Sequence, residues 1–138
     1  MITEDAKKKV NLFLQTFFTT GNVGIGGDAT NPNANTLDVK LLTANESLTV
    51  TNTGDTSTDF KLSVMGSQLA ASAVREFGVF GKLPTNATEF SDMYGGTDGT
   101  STANYDVEDT MLARFPFEAI GPFNNSDQID ITLSVEVE

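Results

Sequence analysis

Apolar residues recur every three to four positions at the start of this chain and every second position through most of the rest. From Thr3 to about Phe18, Ala6, Val10, Phe13, Leu14 and Phe17 fall on one helical stripe, while Lys8, Lys9, Asn11 and Gln15 fall on the other side. Thr3 is placed to cap this helix, and Glu4 and Asp5 occupy its first turn, where the positive end of the helix dipole favours acids. The pattern predicts one amphipathic helix, over about residues 3–18, packed on a sheet. Leu12 lies off the stripe and is free to touch a neighbour.

The period then changes to two. A Gly, Asn, Thr and Pro-rich stretch surrounds a short strand at Asn22 to Ile25. Beyond it, Leu37, Val39 and Leu41 share one face, Leu48 and Val50 another, and Phe60, Leu62 and Val64 a third. In Val74 to Gly81 both faces are partly apolar, with Arg75 on one and Glu76 on the other, which predicts a central strand covered on both sides. Gly78 and Gly81 there mark a bend, a bulge or a close backbone approach. Leu83 to Thr110 is polar and Gly-rich and reads as a long loop, with Phe90, Tyr94 and Tyr105 as its aromatics. Met111, Ala113, Phe115, Phe117 and Ala119 are expected on one face of a strand that Pro116 confines to an edge or forces to bulge. Ile129, Ile131, Leu133, Val135 and Val137 alternate with polar residues, giving a strand with one buried and one wet face. The expected fold class is mainly β, a β-sandwich or jelly-roll-like domain of seven or eight strands over about residues 22–138, preceded by the helix.

Composition narrows the function. The chain has 138 residues, enough for a single structural domain that buries roughly two-thirds of its unfolded surface. A net charge of −11 argues against nucleic acid as a partner, because such binding needs Lys and Arg along the phosphate path. Lys7 to Lys9 precede an apolar run broken by Asn11, Gln15 and Thr16, which does not read as a signal peptide. No window reaches the roughly twenty apolar residues of a membrane helix, so a soluble protein with no membrane partner is expected.

The absence of Cys and His removes disulfides, thiol nucleophiles, the usual neutral-pH general base and nearly all transition-metal sites. Carboxylates, Lys, Tyr and Ser remain. The glycines of Gly24 to Gly27 lack the Lys-Ser/Thr ending of a phosphate loop and read as a tight turn. Asp98, Asp106, Glu108 and Asp109 supply hard oxygen ligands for calcium but fit no EF-hand spacing. Nineteen acids make some carboxylate pair inevitable, so a glycosidase rests on no specific signal. The residues call for no catalytic group, metal or cofactor. Arg75, Glu76 and Arg114 are the charges set inside strand-like runs. An arginine there either pairs with a carboxylate to fix strand register or forms an ion pair between subunits.

Gly24, Gly26, Pro32, Thr36 and Leu37, then VREFGVFG, then LARFPFEAIGPF, and finally DQIDITLSVEV occur in an order that resembles a family of small virion structural proteins of tailed phages. The resemblance extends from about Gly24 to Val137. It implies a non-enzymatic component of a tail, neck, fibre or baseplate, located in the virion, that meets other virion proteins and assembles as a symmetric homo-oligomer. Decoration of the capsid surface is the nearest alternative. A β-sandwich adhesin for a host-surface glycan or receptor is another. Phe90, Tyr94 and Tyr105 are the expected contact anchors, since aromatics are enriched at interface hot spots.

Overall fold

The computed structural model of the chain describes residues 1–26, 37, 39–95 and 107–138, with the backbone alone at 92–95. Helix α1 runs Glu4–Phe17. Thr3 Oγ1 accepts from the Ala6 N–H at 3.1 Å, and the Phe18 N–H closes the other end on the Leu14 carbonyl. Leu14 is buried, and Phe13 and Phe17 pack on the core beside it.

One position of the predicted stripe and two of its polar side are corrected. Val10 faces out, whereas Asn11 is buried and Gln15 is turned inward. The Asn11 Nδ2 group lies 3.2, 3.3 and 3.3 Å from the carbonyls of Gly54, Asp55 and Ser57, and its Oδ1 accepts from Thr58 Oγ1 at 2.7 Å. Gln15 Nε2 reaches the same threonine oxygen at 2.7 Å. Part of the helix therefore lies on a turn whose carbonyls need donors, and a buried polar group is stable where such partners exist.

Seven strands follow among the described residues: β1 (Thr20–Gly24), β2 (Glu46–Ser47), β3 (Thr49–Asn52), β4 (Ser57–Met65), β5 (Val74–Pro84), β6 (Val107–Ile120) and β7 (Gln128–Glu136). They form two antiparallel sheets, β2-β1-β5-β6 and β3-β4-β7. One apolar cluster joins Val23, Val74, Phe77 and Val79 of the first sheet to Phe60, Leu62 and Val64 of the second, with Leu14 and Phe18 at its helical end. The chain is thus mainly β and sandwich-like, with one N-terminal helix. β5 is central and buried on both faces along most of its length, as its two apolar faces predict.

Two expected elements differ. Leu37, Val39 and Leu41 do not share a strand face. Val39 has φ of +51° and is exposed, Leu37 is buried, and among the described residues Lys40 forms an isolated bridge to Gly24. A left-handed residue breaks the alternation, so that Leu41 and Leu42 both turn toward the core. The stretch expected as a loop from Leu83 instead continues β5 to Pro84 and then forms α2 (Ala87–Gly95). Asn86 Oδ1 accepts from the Glu89 N–H at 2.9 Å, an N-cap with an acid three positions on.

Candidate functional site

The charges singled out in the sequence separate once folded. Glu76 is fully buried and Arg114 nearly so, and Arg114 Nε donates to Glu76 Oε2 at 2.8 Å. In the β5–β6 register Gly78 faces Arg114 and Glu76 faces Pro116, so the pair bridges the two strands diagonally. It lies on the face of the sheet away from the main core, where Leu37 lies over Gly78 and Lys40 over the ring of Phe80. Arg75 is on the opposite parity and exposed, with Gly26, at φ of +59°, packed against its Cβ. Of the two arginines, only Arg114 takes the register-fixing role.

Of the three aromatic anchors, Phe90 alone has its side chain among the described residues. Phe90 is half-buried against the core from α2, which makes it a packing residue. Tyr94 lies on α2 by its backbone, and Tyr105 is outside the described residues, as are Asp98 and Asp106 of the calcium-type loop. Asp109 is on β6 and pairs with Lys82 at 3.3 Å.

The sequence did not point to the feature that dominates one side of the molecule. β6 and β7 are edge strands of their respective sheets. Register places Ala113 and Phe115 opposite Val79 and Phe77, on the inner face, while Met111 pairs with Phe80 on the outer face. The irregularity beside Val79 and Phe80 changes the strand's parity, so Leu112 packs on the core and the expected single face of β6 is divided. Phe115 is nevertheless 51% exposed, its ring 6.0 Å from that of Phe117, and Ile120 is 53% exposed. At the edge of the other sheet Ile129, Ile131, Leu133 and Val135 of β7 are only half-buried, although they alternate as expected. The sandwich is open along β6 and β7.

A second feature is a polar cleft of about 590 Å³ between the end of α1, β1, residues 40–45 and the adjoining parts of β5 and β6. Asn22, fully buried, forms its floor. Its Oδ1 accepts from the N–H groups of Val23 and Leu42, and its Nδ2 donates to the Leu42 carbonyl and to Asn45 Oδ1. Lys40, Thr43, Asn45, Lys82 and Asp109 line the walls. No protein-family model and no curated protein matches the chain.

Proposed function

We propose that this chain is a non-enzymatic structural subunit of a tailed virus particle, in the tail, neck, fibre or baseplate apparatus, and that it works by symmetric assembly with copies of itself. The observation that carries the reading is the open side of the sandwich, where inner-face apolar residues from Phe115 to Val135 lack full cover. Among the described residues the fourteen-residue β6 has a strand partner on one side alone, and Pro116 is the one residue of it that cannot donate. Antiparallel pairing of β6 with β6 of a second copy is self-complementary about a two-fold axis, and it would cover Phe115 and Ile120. Of the ordered motifs of the resemblance, VREFGVFG falls on β5, LARFPFEAI on β6 and QIDITLSVE on β7, so these family-like segments supply both the centre of one sheet and the edge strands, while Pro32 and Thr36 lie outside the described residues.

Two measurements test the proposal. In sedimentation velocity the wild-type chain is expected to form a defined oligomer, and Phe115→Lys with Ile120→Lys to sediment as a folded monomer with an unchanged circular dichroism spectrum. A wild-type monomer at every concentration would remove the assembly step. Immunogold labelling of virus particles should then mark a tail, neck or baseplate structure. Label on the capsid surface would favour decoration, and unlabelled particles would end the virion reading.

A further inference from the structure

We infer that the polar cleft is a binding site for a sugar acid, with Lys40 receiving the carboxylate. Lys7, Lys8, Lys9, Lys61 and Lys82 each face a carboxylate, whereas Lys40 has none among the described residues. Its ammonium is held at the cleft by the Phe80 ring, 4.3 Å from the centroid, and by Asn45 Oδ1 at 3.4 Å. Both partners orient the charge and neither neutralises it. In a chain with a net charge of −11 this is an unusual local environment, a cation for which the described residues supply no counterion.

The other walls define the rest of the ligand. Asn45 Oδ1 already accepts from Asn22 and Lys40, so its amide N–H groups are the donors left for an incoming oxygen. Thr19 and Thr43 add hydroxyls that donate or accept. Asp109, steadied by Lys82, is an acceptor for hydroxyl protons. One cation without a counterion among the described residues, several hydroxyl partners and one fixed acceptor complement a single carboxylate on a polyhydroxylated ring. A volume of about 590 Å³ accommodates one such ring. The cleft lies apart from Phe115 and Ile120, so this inference does not rest on the assembly reading.

The test is calorimetric titration of the full chain at low ionic strength with glucuronate, galacturonate and N-acetylneuraminate, paired with amide chemical-shift mapping. At least one of the three should bind and shift Thr43, Ala44 and Asn45. Lys40→Gln should weaken that binding by about tenfold or more while leaving the circular dichroism spectrum and sedimentation unchanged, and glucose and acetate should each bind weaker by a similar factor. Thr43→Val should weaken the sugar acids without altering the affinity for acetate. Absence of binding by all three sugar acids, equal binding by Lys40→Gln, or acetate as tight as the sugar acids would overturn the inference.

Discussion

At the scale of single residues, the Glu76–Arg114 pair shows how a charge inside a strand is tolerated. Moving a carboxylate out of water costs several kcal/mol unless a partner and further hydrogen bonds compensate, and removing one partner leaves that cost behind. Arg114→Ala is therefore expected to destabilise the chain by about 3 kcal/mol, and Arg75→Ala, at an exposed position, by less than about 0.5 kcal/mol. Urea denaturation of the two variants checks the difference, and similar midpoints would remove the pair from the folding account. The sequence places Arg75 and Glu76 on opposite faces, because strand parity is local. It does not say which face is covered, since that depends on Leu37, about forty residues away in the chain and packed over Gly78.

At the scale of elements, β4 and β7 illustrate a register held from both sides. Phe60, Leu62 and Val64 stand opposite Leu133, Ile131 and Ile129 on the inner face. On the outer face Ser63 Oγ donates to Asp130 Oδ1 at 2.7 Å, Lys61 approaches the same carboxylate at 3.5 Å, and Ser134 Oγ donates to Asp59 at 2.6 Å. The Ser63 hydroxyl, followed by the Gln128 amide and then the Lys61 charge, holds the Asp130 carboxyl below its ordinary value. Slipping the register by one residue would exchange these two faces. β5 meets α1 differently. A Cβ on Gly81 would collide with the Phe17 carbonyl oxygen, a backbone atom that cannot rotate away, so the end of the helix is seated directly on the strand. Gly81→Ala should lower stability by about 2 kcal/mol or more, measured by thermal and urea unfolding. A wild-type midpoint would mean that α1 can lift from β5 at little cost. The close backbone approach expected from the strand glycines is thus realised at Gly81.

At the scale of the whole molecule, net charge and open edges act against each other. Copies carrying −11 repel one another, whereas edge pairing and burial of Phe115 and Ile120 favour contact. Salt weakens the first effect far more than the second, as the screening length falls from about 30 Å at 0.01 M to about 8 Å at 0.15 M. Self-association should therefore strengthen as sodium chloride rises through this range, which sedimentation equilibrium can follow. Association that weakens with salt would point to ion pairs between subunits instead of strand pairing. The long free edge of β6 also gives Pro116 a physical role, since a residue without an N–H interrupts indefinite strand addition.

The sequence by itself determined the elements whose signal is local. These are the capped helix at Glu4–Phe17, the alternation of β4 and β7, the two-faced β5, and for β6 the constraint of Pro116 to an edge or a bulge, where the structure shows an edge strand with an irregular register beside Pro116. The α2 helix was legible in Asn86 and Glu89, but the polar, Gly-rich composition around it concealed the cap. Tertiary structure alone decided which charges pair, which side of α1 turns inward, where the β6 irregularity changes parity, and which apolar residues stay uncovered. It also assembled the cleft, bringing Thr19, Lys40, Asn45, Lys82 and Asp109 together from distant parts of the chain. Periodicity reports how a segment can present its side chains, whereas burial and partnership depend on what other segments place against them.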